Sequence, residues 1–193
     1  MSTAVSQANC LRNVQNLDLK GNKLTAVTSQ EMFNFPSLRK IDLNLNLMRH
    51  LDENNFEFTK ELVDIDISNN QLSTLLPSIF TSSKLIRLSV ANNSITSLPA
   101  QVFANQENLQ YLDLSGNILT SSEIKPNLFA GLSNLLELDL SQNQLDKLRK
   151  KLFWDLESLE KLRISHNKIR EIPNRLFKSQ SKLKTLSLSK KTC

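Results

Sequence analysis

The chain has 193 residues, of which 39% are hydrophobic and 22% charged, and its formal net charge is +5. This balance excludes an intrinsically disordered polymer, and since no run of about 18 apolar residues occurs, the sequence predicts no membrane span. The basic character belongs to the last third, because residues 1–134 carry 10 Lys or Arg against 12 Asp or Glu, whereas residues 135–193 carry 14 against 7.

A pattern of leucines recurs along the chain at a nearly fixed period. It is clearest in LLELDLSQNQLDKL, which begins at Leu135 and reads Leu-x-x-Leu-x-Leu-x-x-Asn-x-Leu-x-x-Leu. Aligned copies are 24, 24, 23, 24, 26, 24 and 24 residues apart, and they begin at Val14, Leu38, Leu62, Leu85, Leu109, Leu135, Leu159 and Leu183. Such a period predicts a solenoid in which each unit packs on its neighbours.

The repeat boundaries divide the chain into three parts. Residues 1–13 are the tail of an incomplete N-terminal repeat, residues 14–182 form seven repeats, and residues 183–193 are an incomplete eighth. Neither end shows a dedicated cap, and the first residues lack the pattern of a secretory signal. If the protein is exported, we expect this sequence to be a processed form or a fragment.

Within each unit, apolar and polar residues alternate as in a short strand with one buried face. In the unit from Leu135, Leu138 and Leu140 point inward, and Glu137, Asp139 and Ser141 point outward. Stacked units give a parallel sheet, and the return segments are too short to cover both of its faces. The predicted fold is therefore an α/β repeat solenoid with one bare sheet face, on which a partner would bind.

Two further periodic positions predict structural roles. A buried Asn can bridge its own turn and that of the next unit, and the ninth position is Asn22, Asn46, Asn70, Asn93, Asn117, Asn143 and Asn167. The return halves carry aromatic residues that would fill the convex core, namely Phe56, Phe80, Phe103, Phe129, Phe153 and Phe177. In the longer unit from Leu109, Ser122 falls at an apolar position, so we expect Ile124 to be buried in its place.

The run LxxLxLxxNxLxxLxxxxFxxL closely resembles the typical 24-residue class of leucine-rich repeats of animal extracellular proteins. It is similar to the ectodomains of Toll and Toll-like receptors and to secreted insect immune proteins. The resemblance implies a horseshoe with the parallel sheet on its concave face and short irregular or 3-10 segments on its convex face. It also implies recognition of a protein, glycan or microbial ligand without catalysis or a cofactor.

Outward strand positions are the candidates for partner binding. Val63, Ile86, Tyr111 and Leu136 form an apolar strip on an otherwise polar surface. An apolar strip rimmed by charge is typical of an interaction site, and a Tyr beside an Arg suggests an energetic hot spot, although scattered exposed apolar residues are also normal. The predicted partner-binding residues are Val63, Ile86, Arg87, Tyr111, Leu136 and Glu137.

The fifth position is usually Asp, as at Asp42, Asp66 and Asp113. Carboxylates at strand spacing repel one another, so a cation or a basic partner is one interpretation. The alternative is a consensus feature of the repeats, with Arg163 compensating the charge of Asp139. We favour the alternative and predict no metal site.

The basic last third suggests an anionic partner, such as a sulfated polysaccharide, against the alternative of an ordinary solvated surface. The candidate residues are Lys147, Arg149, Lys150, Lys151, Arg170 and Arg175. Asn92 opens the N-x-S/T triplet Asn92-Asn93-Ser94 and is a candidate for glycosylation. Trp154 is either packed on the convex side or an exposed anchor, and we favour packing.

Catalysis has little support in the sequence. His50 and His166 lie at different positions of different units, so they cannot build one site. Cys10 and Cys193 would lie more than about 30 Å apart in the solenoid, too far for a disulfide. We therefore expect an extracellular or secreted recognition module that binds a macromolecule but no nucleic acid. The alternative is an intracellular leucine-rich repeat scaffold with reduced cysteines.

Overall fold

The computed structural model describes residues 11–77, 79–82 and 84–188. Cys10 and Cys193, and the expectations that concern them, lie outside these residues. The elements in chain order are β1 (Asn16–Asp18), α1 (Ser29–Met32), β2 (Lys40–Asp42), β3 (Asp64–Asp66), β4 (Arg87–Ser89), β5 (Tyr111–Asp113), β6 (Glu137–Asp139), β7 (Lys161–Arg163) and β8 (Thr185–Ser187). No helix in the described part of the chain is long and apolar enough to cross a bilayer.

The eight strands form one parallel sheet in sequence order, and each strand pairs with the next. The register aligns equivalent residues of successive repeats, so Leu112 pairs with Leu138 and Leu138 with Leu162. Each return segment carries the chain back to begin the next strand beside the last. This arrangement is the solenoid predicted from the period of the leucines.

The core lies behind the sheet and repeats with the units. In the unit from Leu135, the side chains of Leu135, Leu138, Leu140 and Leu145 are all buried. The predicted aromatic spine is confirmed, because Phe129 stacks on Phe103 and Phe153 with ring centroids 6.3 Å apart in both pairs. Burial of these rings removes a large apolar area from water and holds the return segments against the sheet.

The return segments are mostly turns. The four-residue helix α1 begins after Thr28, whose hydroxyl accepts a hydrogen bond from the Glu31 N–H while the Glu31 carboxylate accepts one from the Thr28 N–H. This reciprocal capping satisfies amide groups that a short helix otherwise leaves unpaired.

The two-residue insertion in the unit from Leu109 is accommodated as expected. Ile124 is buried, and Ser122 is exposed. Ser121, one residue earlier, is also buried, and its hydroxyl donates to the Lys147 carbonyl at 2.7 Å while accepting the Lys147 N–H at 3.0 Å. The insertion is therefore fixed to the following repeat.

The Asn at the ninth position hydrogen-bonds within its own turn and with the preceding repeat. The Nδ2 of Asn117 donates to the carbonyls of Leu114 and Val90, both at 3.1 Å, and its Oδ1 accepts the Ile95 N–H at 3.0 Å. The same contacts recur at Asn46, Asn70, Asn93, Asn143 and Asn167. Asn22 in the first repeat is exposed, and among the residues described it donates to carbonyls of its own turn.

One expectation about the strand faces is wrong. Ser141, at the seventh position, was expected to point outward but is buried, as are Ser68 and Ala91 at the same position. Each strand ends at the fifth position, so the seventh residue already lies in the turn and the alternation of a strand no longer applies there.

Candidate functional site

The sheet presents two rows of outward side chains, because the third and fifth residues of each unit flank one strand residue, which is buried from β2 to β7. Parallel register places equivalent side chains on neighbouring strands, about 4.8 Å apart. The third-position row is Asn16, Lys40, Asp64, Arg87, Tyr111, Glu137, Lys161 and Thr185, and the fifth-position row is Asp18, Asp42, Asp66, Ser89, Asp113, Asp139, Arg163 and Ser187.

The middle of this face forms an open groove of about 380 Å³ that runs from β2 to β7. Its charged lining consists of six carboxylates and three cations, a net charge of −3, from Lys40, Asp42, Asp64, Asp66, Arg87, Asp113, Glu137, Asp139 and Arg163. The whole chain carries +5. The groove therefore has the opposite sign of charge from the molecule as a whole.

The fifth-position aspartates are held by the turn that follows each strand. The Oδ1 of Asp42 accepts the Asn44 N–H at 2.9 Å, and Asp113 and Asp139 accept the N–H groups of Ser115 and Ser141 at 2.9 and 2.8 Å. Sequence reasoning missed this role, although an Asp two residues before a turn amide is a recognised turn signal. Among the residues described, no group of His, Cys, Asp or Glu is arranged to hold a metal ion.

Ion pairs occupy both flanks of the groove. On one flank, the Lys40 Nζ lies 3.0 Å from the Asp64 carboxylate, whose hydrogen bond and charge raise the pKa of Lys40. On the other flank, Arg163 lies 3.6 Å from Glu137 and 3.7 Å from Asp139. The prediction that Arg163 compensates the charge of Asp139 is confirmed, and the same guanidinium also pairs with Glu137.

Between these ion pairs, the Arg87 guanidinium lies over the Tyr111 ring, 4.1 Å from its centroid. The pair joins β4 to β5 at the third position, where the register sets the two residues side by side. The ring quadrupole attracts the cation and limits the positions of both side chains. The centre of the groove is thus an aromatic and cationic surface within an acidic surround.

Three of the six predicted partner-binding residues, namely Arg87, Tyr111 and Glu137, line the groove. Val63, Ile86 and Leu136 do not belong to its lining and instead directly precede their strands. Backbone pairing at that level runs from Val63 to Ile86, then to Gln110 and Leu136. The predicted apolar strip of Val63, Ile86, Tyr111 and Leu136 is therefore not continuous at one level. Gln110 lies between Ile86 and Leu136, and Tyr111 lines the groove one residue further along its strand.

Comparison with a family model described as "Leucine rich repeat" gives matches over residues 12–72, 60–119 and 120–169. The chain belongs to the leucine-rich repeat family. Lumican from Gallus gallus is 36% identical to it over 138 residues, which are 71% of this chain and 39% of lumican. The chain spans between 24% and 39% of the length of such curated relatives.

Solved structures agree with this assignment. The chain superposes on one from the TLR13–ssRNA13 complex with a TM-score of 0.87 and 27% identity, covering 95% of this chain and 26% of that one. A chain of the octameric complex of Latrophilin 3, Unc5D and FLRT2 matches with a TM-score of 0.76 and 25% identity, covering 91% and 60%. The expected resemblance to Toll-like ectodomains and the extracellular class of repeats is confirmed.

The eighth residue of each leucine-rich repeat turns the chain with a left-handed backbone. Its φ is +69° at Gly21, +56° at Leu45, +51° at Asn92 and +63° at Gly116. Asn92, the candidate for glycosylation, is exposed at this position. A Cβ atom added to Gly116 would lie only 2.0 Å from the Asn92 Oδ1. Glycine at residue 116 therefore makes room for the Asn92 side chain.

The basic candidates of the sixth and seventh leucine-rich repeats lie on the return segments, outside the groove. All of them are exposed, from Lys147 and Arg149 to Arg175. The favoured expectation for Trp154 is wrong, because its side chain is 45% exposed, with the Lys151 Nζ 4.7 Å from the ring centroid. The buried aromatic place in this repeat is already filled by Phe153, so Trp154 faces solvent.

Proposed function

We propose that this chain is a non-catalytic recognition module that binds a macromolecular ligand through the concave sheet face. The observation that carries the proposal is the open groove across β2 to β7, with Arg87 stacked on Tyr111 at its centre. Its side chains are already ordered by turn hydrogen bonds and ion pairs. Such preorganisation lowers the entropic cost of binding.

The shape of the groove favours a macromolecule over a small molecule. Small-molecule sites bury most of their ligand in a cleft, whereas this face is the open side of an eight-stranded sheet. At about 4.8 Å per strand spacing, the sheet is about 34 Å wide. A protein surface or an extended chain can contact this width, and an aromatic and Arg pair in its centre is a typical hot spot.

The relatives support a place outside the cell, as part of a receptor, an adhesion protein or a secreted immune protein. The chain carries leucine-rich repeats and is similar to lumican. One similar structure is a complex with single-stranded RNA and another is a complex with Latrophilin 3 and Unc5D. The expectation that nucleic acid is not a partner stays a prediction, and RNA is included in the experiments below.

The experiment compares what wild-type and substituted chains capture from extracellular fluid. Tyr111→Ala removes the ring under Arg87, and we expect capture of the partner to fall at least about tenfold, as for a central hot spot. Thr185→Ala is the matched control, because Thr185 occupies the same strand position on β8, beyond the groove. Equal capture by wild type and Tyr111→Ala would reject the concave face as the binding surface.

A further inference from the structure

We propose that the concave face binds a lysine- or arginine-rich segment of a partner protein. This inference rests on the proposed function and names the chemistry of its partner. Its first support is the separation of charge. The groove lining carries −3 in a chain of +5, so the remaining surface is strongly basic and the groove is the acidic part of the molecule.

Not every carboxylate in the groove is available to a partner. Asp64, Glu137 and Asp139 are each paired with a Lys or Arg of the neighbouring strand. Asp42, Asp66 and Asp113 have no Lys or Arg nitrogen within 4.0 Å among the residues described. Among the residues described, Asp66 and Asp113 thus form no close ion pair, and Asp42 feels the charge of Lys40 only beyond 4.0 Å.

The turn after each strand fixes the position of these three carboxylates. Each has its Oδ1 on the N–H of the residue two positions later, in the turn after the strand. Ordering by the backbone removes most of the side-chain entropy cost that weakens exposed ion pairs. At Asp42 and Asp113 the other carboxylate oxygen is an oriented acceptor for a cationic group, and at Asp66 that oxygen also accepts the Asn44 Nδ2–H at 3.3 Å.

The spacing of the three also suits a chain rather than a single ion. Asp42 and Asp66 are on adjacent strands and Asp113 is two strands beyond Asp66, so the row extends over about 14 Å. Tyr111 lies on the same strand as Asp113, but Arg87 already covers a face of its ring, so the carboxylates and not the ring supply the attraction for a cationic chain. Phosphates of RNA or sulfates of a glycan would instead face six carboxylates.

The test uses fluorescence anisotropy with labelled probes of defined chemistry. One is a Lys- and Arg-rich peptide of about ten residues, which spans about 33 Å when extended. The others are its Glu-rich counterpart, a single-stranded RNA oligomer and a heparin oligosaccharide. We expect the wild-type chain to bind the cationic peptide more tightly than the Glu-rich peptide, with an affinity that falls as salt rises.

The decisive variant is D42N/D66N/D113N. Asn keeps the Oδ1 acceptor of the turn and removes the charge, and at residue 66 it also removes the Oδ2 acceptor of the Asn44 side chain. Thermal unfolding of the variant is therefore measured beside its affinity. The control E53Q/E57Q/E123Q removes the same charge from exposed return segments. We expect the first variant to lose at least about tenfold in affinity for the cationic peptide and the control to lose less than about twofold.

Three outcomes would overturn the inference. The first is no binding of the cationic peptide, and the second is an equal loss of peptide affinity in the two variants. The third is that the wild-type chain binds RNA or heparin instead of the peptide and that D42N/D66N/D113N binds this anionic probe more tightly. These outcomes are separable from failure of the proposed function. If Tyr111→Ala still abolishes capture of the natural partner, the concave face remains the binding surface and only the chemistry assigned to the partner is wrong.

Discussion

The guanidinium of Arg87 lies 4.1 Å from the ring centroid of Tyr111, across the boundary between β4 and β5. Both residues occupy the third position of their repeats, so the parallel register alone makes them neighbours. The contact orders two long side chains in the centre of the groove without burying either of them fully. It couples the two repeats on their outer face as the leucines do on the inner one.

This coupling is measurable as a contribution to stability. In a double-mutant cycle of Arg87→Gln and Tyr111→Leu, we expect an interaction free energy of about 0.5–1 kcal/mol, as for cation–π pairs at exposed sites. Urea unfolding of the four proteins gives this free energy. A parallel cycle on Lys151 and Trp154, whose contact is 4.7 Å, serves as a comparison on the convex side. Strictly additive effects of Arg87→Gln and Tyr111→Leu would contradict an energetic contact.

Loss of a ninth-position Asn should lower the free energy of unfolding more where that Asn hydrogen-bonds to a neighbouring repeat. Asn117→Ala leaves the Ile95 N–H without its partner. It also removes one of two side-chain hydrogen bonds from the carbonyls of Val90 and Leu114, which keep those donated by Asn93 and Asn143. We expect a loss of about 2–4 kcal/mol in the free energy of unfolding, since the unpaired Ile95 N–H costs about 1–3 kcal/mol and each further lost hydrogen bond about 1 kcal/mol. Thermal and urea unfolding measure the loss.

Asn22→Ala is the matched control for Asn117→Ala. Asn22 is exposed, and within the described part of the chain it donates to the carbonyls of Leu19 and Lys20 in its own turn. Water can replace these hydrogen bonds, so we expect a loss below about 1 kcal/mol. Similar losses at residues 22 and 117 would show that contacts between repeats are not the source of the effect.

The parts of the structure that the sequence predicts are those in which a position repeats. Leu138 and Asn143 have equivalents in the neighbouring units, and burial of the apolar positions leaves one register for the sheet. The adjacency of Arg87 and Tyr111 follows from the same register. Periodicity therefore determines the fold and the composition of the concave face.

Other features depend on local geometry that the period does not contain. Ser141 is buried because the strand is only three residues long, which alternation alone does not reveal. Trp154 occurs once, so no equivalent residue in another repeat indicates which way it points. Which aspartates form ion pairs depends on the reach of individual Lys and Arg side chains. Lys40, for example, forms its ion pair with Asp64 of the neighbouring strand.

The left-handed residue before each ninth-position Asn offers a way to stabilise the chain. Leu45 adopts φ of +56° and is 52% exposed, so it bears backbone strain with little compensating burial. Leu45→Asn should raise the free energy of unfolding by about 1 kcal/mol, because Asn tolerates this conformation better. Leu47→Asn, at an exposed residue outside the left-handed region, should not stabilise. A rise of the melting temperature in both variants would remove the backbone explanation.

Asn92 is a predicted acceptor for N-linked glycan. Its side chain is exposed in a turn, and it is followed by Asn93 and Ser94 in the required triplet. Expressed through a eukaryotic secretory route, the chain should gain mass that peptide N-glycosidase removes, as measured by intact mass spectrometry. Asn92→Gln should abolish the added mass, whereas Asn69→Gln, at the eighth position of the preceding repeat, should leave it. Glycan that persists in Asn92→Gln would assign it elsewhere.

The exposed cations of the sixth and seventh repeats should give weak, salt-sensitive binding to anionic polymers. Because Arg149, Lys150 and Lys151 lie on a return segment away from the acidic groove, heparin can approach them without meeting its carboxylates. We expect R149Q/K150Q/K151Q to elute from a heparin column at clearly lower salt than wild type.

The control K20Q/K23Q/K60Q removes the same charge from exposed positions of the first two repeats and should elute much closer to wild type. If both triple variants shift equally, retention reflects net charge alone and the last third has no special role. Retention that does not weaken as salt rises would contradict an electrostatic origin, because exposed charges are screened within about 10 Å at 0.1 M salt.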